Sequence, residues 1–180
     1  MELHQIQVTY VAEEDRILCR TSFKDEGDGL QEVRAWLTRR MVAKLWPSII
    51  DALEKQVALD KPLAAHASAD IVGMDHFASV EEIRGSGSFS SPYESAIESF
   101  PLGETPILVT TVNFTLNPDQ PIRMNLAPAE GFGFEIAFTQ TVLHGFCSLL
   151  KDAVKIAEWD LDLAMPGMLA PSGNAARVLN

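Results

Sequence analysis

Basic and aromatic side chains are concentrated in the first quarter of the chain, where they could bind an anion or a protein partner. Period-two alternation along three predicted strands places four of them on the same side of those strands. Three more basic residues follow at the start of a predicted helix, where exposed backbone amides can also bind anions. The candidate partner or anion surface comprises Arg16, Arg20, Arg34, Trp36, Arg39, Arg40 and Lys44.

Ion pairing within the chain is the simpler interpretation of these charges. Acidic residues occupy the predicted turns at 13–15 and 25–28 and could pair with the neighbouring arginines. Trp36 could likewise pack against an arginine as a cation–π pair. Nucleic-acid contact through Arg34, Arg39, Arg40 and Lys44 is a further alternative, but a formal net charge of −11 repels phosphate backbones.

Other reactive side chains do not form a recognisable catalytic or metal-binding pattern. His66 and Asp70 are four positions apart and Asp75-His76 follows, yet solvated loop side chains explain them without a metal. His144 and Cys147 lie three apart on a predicted helix, where a histidine at the edge of the core is expected. Phosphate-loop, nucleophile-elbow, zinc-protease and dinucleotide-binding motifs are absent from the sequence. The sequence therefore predicts no catalytic residue, metal or cofactor.

The elements that would position the basic surface form a strand meander followed by a helix. Alternating side chains predict antiparallel strands over 3–11, 16–23 and 33–37. Thr38 is a predicted N-cap, and apolar residues recur at helical spacing from Met41 to Val57. Pro47 removes a backbone donor, so we expect a kink or a break into two short helices near Trp46.

The second half of the chain repeats this order. Strands are predicted over 107–116, 121–126 and 132–138, with a turn at 117–120 and an amphipathic helix from Thr139 to near Trp159. Val8-Thr9-Tyr10 matches Val112-Asn113-Phe114, and residues 35–38 match residues 136–139. These matches predict an internal pseudo-repeat.

A segment rich in alanine, serine and glycine separates the halves. We expect an irregular crossover over 60–105, with short helices beginning near Ser79 and Ser91, and an extended tail over 164–180. The chain is thus predicted to be a single α+β domain over 1–163, with halves at 3–59 and 106–161. Two meanders, each followed by an amphipathic helix, would form a sheet or sandwich with the helices packed on it.

Composition is that of one globular domain. The chain has 180 residues, of which 47% are hydrophobic and 22% charged. Cys19 and Cys147 lie in apolar segments, which favours two buried thiols in a reducing compartment over a disulfide or a reactive thiol. Neither a secretory signal nor an apolar stretch of membrane-spanning length is seen, so we expect the protein in the cytoplasm.

One stretch resembles a known group of proteins. Residues 34–40, Arg-Ala-Trp-Leu-Thr-Arg-Arg, continue to Leu45-Trp46-Pro47, and this segment resembles one in short bacterial proteins of uncharacterised function. The resemblance implies no activity, ligand or site residue.

Two classes of function remain open at this stage. Missing catalytic motifs and the arginine–tryptophan surface favour a non-enzymatic protein-interaction or assembly module, for example a homodimer formed through an open sheet edge. The alternative is a protein that binds a small molecule or an anion, and could be an enzyme, with a pocket between the halves roofed by the central segment.

Overall fold

The chain folds into two β-sheets and three α-helices across the residues that the computed structural model describes, 2–24 and 29–167. The predicted α+β class is confirmed. No helix in these ranges combines the length and the apolar character needed to cross a membrane.

The first sheet contains the predicted antiparallel meander. Its strands β1 (Glu2–Val11), β2 (Arg16–Lys24) and β3 (Leu30–Leu37) are joined by a short β4 (Ile107–Leu108), which runs parallel to β3. One face is apolar and faces the core, because residues two apart along each strand point to the same side. Ile17, Cys19, Ala35 and Leu37 are wholly buried on that face.

Helix α1 (Arg39–Asp60) begins at the predicted cap, where the Thr38 hydroxyl accepts a hydrogen bond from the Met41 amide at 3.1 Å. Pro47 lies inside the helix, and no break occurs there. The residues on both sides of Pro47, Trp46 and Ile49, are buried in the same core. Burial of this apolar face stabilises α1 by more free energy than the backbone hydrogen bond lost at Pro47 costs.

The central segment differs from the predicted irregular crossover. It contains a 3₁₀ turn (Pro62–Ala67) and the 18-residue helix α2 (Ser68–Gly85), so Ser79 lies inside a helix rather than at its cap. No helix begins at Ser91, because residues 92–97 have no regular secondary structure. The apolar residues of α2 follow the helical period only weakly, because the helix exposes Met74 and Phe77 and buries polar residues instead.

The second sheet is the antiparallel meander of β5 (Thr111–Thr115), β6 (Ile122–Ala127) and β7 (Phe134–Phe138), followed by α3 (Gln140–Ile156). Thr139 caps α3 by accepting a hydrogen bond from the Val142 amide at 3.3 Å. The strand predicted over 107–116 is divided between the two sheets. Its joint is fixed by hydrogen bonds from the Val109 amide to the Trp36 carbonyl and from the Thr110 amide to the Ala127 carbonyl.

One core joins the inner faces of both sheets with α1 and α3. Cys19 and Cys147 are buried and free, and burial raises their thiol pKa values to about 11 and about 12. The first residues of the expected tail also pack: Met165 is buried, and the Trp46 indole donates to the Ala164 carbonyl at 3.1 Å. The rest of the tail prediction, 168–180, lies outside the described residues.

Truncation of Phe146 tests the assignment of the α3 face to the core. Phe146 is 1% exposed and packs on Phe138 with ring centroids 5.7 Å apart. We expect Phe146→Ala to lower the free energy of unfolding by about 3–5 kcal/mol in urea denaturation. Ile156→Ala, at a position 71% exposed on the same helix, is the control and should change it little. Equal effects of the two variants would contradict the assignment.

Candidate binding cleft along the first strand

The outer face of the first sheet carries the predicted strand arginines. Arg20 lies directly opposite Arg34, and Leu18 lies opposite Trp36. Arg16, at the start of β2, is 3.6 Å from Glu14 in the hairpin turn. The acidic turn at 25–28, the other expected source of partners, lies outside the described residues.

Glu32, which the sequence did not single out, joins the two central arginines. Its carboxylate is fully buried and accepts hydrogen bonds from Arg34 Nε at 2.6 Å, Arg20 Nη2 at 2.8 Å and the Tyr93 hydroxyl at 2.8 Å. Burial alone raises the pKa of this carboxyl, but the three hydrogen bonds outweigh it, so the Glu32 pKa is lowered. The carboxylate is therefore charged and offsets one of the two arginine charges.

The basic residues of α1 do not join this cluster. Arg39 donates to the Asp160 carbonyl at 3.3 Å, and Arg40 and Lys44 are exposed. Within the described residues, no hydrogen bond or ion pair connects any of them with Glu32. The seven predicted residues therefore lie at two separate places, the sheet face and the start of α1.

Residues 92–104, which we call the strap, cover the outer face. The ring of Tyr93 lies 4.3 Å from the Arg20 guanidinium carbon, and the ring of Phe100 lies 4.7 Å from that of Arg34. The expected cation–π pairing is thus made by strap residues, while Trp36 lies in register with Leu18 and Leu108. The strap also extends the β3 edge, because the Glu32 amide donates to the Ser99 carbonyl and the Glu98 amide to the Leu30 carbonyl.

At the opposite edge of the sheet, the outer side of β1 pairs with no strand among the described residues. Between Glu2 and Tyr10, no backbone group of β1 is hydrogen-bonded to an element other than β2 in the part of the chain described. Alternate residues of an edge strand direct their N–H and C=O groups away from the sheet. No residue in ranges 2–24 and 29–167 occupies these groups, so they can bond an incoming chain.

A cleft of about 530 Å³ runs along this free edge. Helix α3 forms its wall on the core side, and the connection from α2 to the strap forms its wall on the outer side. Contact between Gln5 and the strap holds the outer wall, since the Gln5 side chain donates to the Pro92 carbonyl and accepts from the Glu94 amide. The lining residues are Leu3, His4, Gln5, Ile6, Gln7, Val8, Ile83, Ser88, Phe89, Ser91, Tyr93, Val142, Gly145, Phe146 and Leu149.

The two walls differ in chemistry. Val142, Phe146 and Leu149 form the α3 wall, whereas Ser88 and Ser91 line the outer wall beside aromatic rings. The Ser88 hydroxyl is hydrogen-bonded to that of Ser86 at 2.8 Å, and the Ser91 hydroxyl donates to the Gly87 carbonyl at 3.4 Å. In the part of the chain that the structure describes, no carboxylate, lysine or arginine lines the cleft, although Glu94 stands 3.2 Å from His4 at its border. Between its two ends, the cleft therefore suits an uncharged stretch of chain with one apolar side and one polar side.

A pair of buried histidines lies nearby between α2 and α3. The rings of His76 and His144 have centroids 5.3 Å apart, and neither Nδ1 atom has a hydrogen-bond partner among the described residues. Burial lowers the pKa of both to about 4, helped by the positive charge of Lys151 for His76 and by His76 for His144. Both rings are neutral near pH 7. His66 lies apart from this pair, exposed in the 3₁₀ turn.

Within the described ranges, no three of the histidine, cysteine, aspartate or glutamate side chains converge in a way that could hold a metal ion. Comparison with family models, with curated proteins and with solved structures found no match for this chain. The site must be interpreted from its geometry alone.

Replacement of Glu32 tests how strongly the cluster holds the sheet and the strap together. Glu32→Gln leaves two arginines without their counter-charge, and we expect it to lower the free energy of unfolding by roughly 2–4 kcal/mol. Glu135→Gln is the matched control, because its ion pair with Arg123 is about half exposed and contributes less than about 1 kcal/mol. Urea denaturation measures both changes. A Glu32→Gln effect no larger than that of the control would contradict this role.

Acid should destabilise the protein through the histidine pair. The unfolded chain protonates each histidine near pH 6.5, whereas the folded protein resists protonation down to about pH 4. Stability is therefore lost as pH falls through this interval, on the order of 3 kcal/mol for each histidine.

Urea denaturation as a function of pH measures the loss. His144→Gln should flatten the slope of unfolding free energy between pH 6.5 and pH 4, whereas His66→Gln should retain the slope. Identical slopes for all three proteins would show that the pair does not titrate as described.

Proposed function

We propose that this protein is an interaction module that binds an extended segment of a partner protein in the cleft along β1. The segment would add to the first sheet as a further strand, with its backbone bonded to β1 and its side chains against the two walls. The observation that supports this most is the position of the cleft. It follows the β1 edge, which neither a strand nor the strap pairs among the described residues.

The sequence of β1 also supports a binding role for its edge. Proteins usually protect long edge strands with charges, prolines or a covering element. From Leu3 to Val11, β1 contains neither a proline nor a lysine, and its single bulge lies between Leu3 and Gln5. An edge of this kind needs either a cover or a ligand.

The walls favour a lone segment over a second copy of the sheet. In a symmetric dimer, the β1 strands of two copies would pair, and each would bring its own α3 and strap into the space between them. A cleft of about 530 Å³ has room for a few residues of a single strand. A homodimer through this edge would therefore require both clefts to open, which disfavours it.

A small molecule is the second candidate for the same cleft. Its volume is within the usual range for small ligands, and both halves of the chain and the central segment contribute to it. This is the kind of pocket that the alternative prediction described. The free backbone groups of β1 favour a peptide, because an extended chain can satisfy them in register.

The predicted arginine surface enters this proposal in a supporting role. One charge of the Arg20–Arg34 pair is offset by Glu32, and both guanidinium groups lie against strap rings. We infer that Arg20 and Arg34 hold the outer wall in place rather than bind a phosphate. Arg16, Trp36, Arg39, Arg40 and Lys44 have no assigned role in this function.

We also propose that the two halves of the chain form an internal repeat and that the protein is cytoplasmic. The threonine caps at Thr38 and Thr139 follow the third strand of each meander, which supports an internal repeat. The repeat is incomplete, since β1 has ten residues and β5 has five. Two buried free thiols are compatible with the cytoplasm.

Selection of peptides from a phage-displayed random library tests the function. We expect enriched peptides to perturb the amide resonances of β1 and α3, with cross-strand nuclear Overhauser effects to residues 3–8. Val142→Glu places a charge on the apolar wall at a position 38% exposed, and should weaken binding at least about tenfold. Ile156→Glu, at an exposed position on the same helix that does not line the cleft, should bind as the wild type does.

Three outcomes would contradict the proposal. Failure to enrich any peptide over the Val142→Glu variant would remove the peptide ligand. Resonance changes in the cleft without cross-strand effects would indicate a different binding mode. A retained small molecule that co-purifies in native mass spectrometry and is lost from Val142→Glu would favour the second candidate.

A further inference from the structure

We propose that the bound segment alternates apolar and small polar side chains and carries basic residues at the end that lies beside Leu3 and His4. This inference rests on the proposed function and specifies the chemistry of the partner. It follows from the chemistry of the two walls and from the distribution of charge around the cleft.

Alternation follows from the sheet geometry. Side chains of an added strand point in turn to the two faces of the sheet. On the core side they meet the α3 wall, where Val142, Phe146 and Leu149 exclude water from an apolar side chain. On the outer side they meet Ser88 and Ser91, whose hydroxyls are hydrogen-bonded within the chain but keep acceptor capacity for small polar donors.

The same two-sided pattern occurs in β1 itself. Leu3, Ile6 and Val8 pack against the core, whereas Gln5 and Gln7 share the outer face with Arg20 and Ser22. An added strand continues the two faces of its neighbour, so its side chains should follow the same division. A segment with the wrong parity would place polar groups against α3.

The charge around the cleft indicates which end of the bound segment carries basic residues. The protein has a formal net charge of −11, and Glu2 and Glu94 are two of its carboxylates at this end of β1. Glu94 is 54% exposed beside His4, and Glu2 is exposed at the start of β1 opposite Lys24. Basic residues on a partner would be attracted by this field, both during the encounter and in the complex.

The test uses synthetic derivatives of one peptide enriched in the library selection. Its core is kept, and its flank at either terminus carries two lysines, two glutamates or two serines. We expect the lysine flank at one terminus to strengthen binding about threefold to fivefold over serine, and the glutamate flank to weaken it. The terminus that responds shows whether the segment runs parallel or antiparallel to β1. The lysine effect should shrink as salt increases.

Two variants of equal charge change identify the carboxylate. Glu94→Gln should remove most of the gain given by the lysine flank, whereas Glu130→Gln, in an exposed turn of the second sheet, should keep it. If Glu94→Gln does not fold, the salt dependence of the wild-type protein still tests the charge attraction itself. Fluorescence anisotropy with labelled peptides measures each affinity.

The outcomes separate this inference from the proposed function. If peptides bind β1 equally well with lysine, serine and glutamate flanks, the proposed basic flank is wrong and the proposed function still stands. A derivative in which the apolar residues are shifted by one position, so that they face the outer wall, should lose binding. Undiminished affinity would contradict the proposed alternation. If no peptide is enriched, the function fails and this inference fails with it.

Discussion

A carboxylate with no exposure to solvent organises the outer side of this protein. Glu32 can remain charged there only because Arg20, Arg34 and Tyr93 donate to it. Tyr93 belongs to the strap, so satisfying this charge also fixes a segment from the middle of the chain on the first sheet. The cation–π contacts of Tyr93 and Phe100 and the backbone pairing at β3 add to the same attachment.

The position of the strap decides what the sheet can bind. It pairs with the β3 edge at one side and, through Gln5, stands beside the β1 edge at the other. Helix α3 approaches β1 from the core side, so the outer edge of β1 becomes the floor of a walled cleft rather than an open edge. The two walls protect the β1 edge from uncontrolled pairing but leave access for one extended chain. We therefore favour selective peptide binding over open self-assembly.

The candidate site could be predicted only in part. Alternation along β2 and β3 correctly placed Arg20 and Arg34 on the same face, because strand parity is a local property. The same rule assigns Glu32 to that face, but parity does not reveal burial, which comes from the strap. Tyr93 is 61 positions from Glu32, so their contact has no local signal. The free β1 edge leaves a trace in the sequence, a strand without lysine or proline, but the cleft beside it requires α3 to be in place.

The sequence alone determined the elements whose signals are local and repeated. Period-two strands, helical apolar spacing and the caps at Thr38 and Thr139 specify two meanders, each followed by a helix. Tertiary structure decided the rest. It kept α1 continuous through Pro47, formed α2 from a weakly patterned segment and divided one predicted strand between two sheets. Those outcomes depend on contacts between distant residues, whose packing energy outweighs local preference and leaves no periodic mark in the chain.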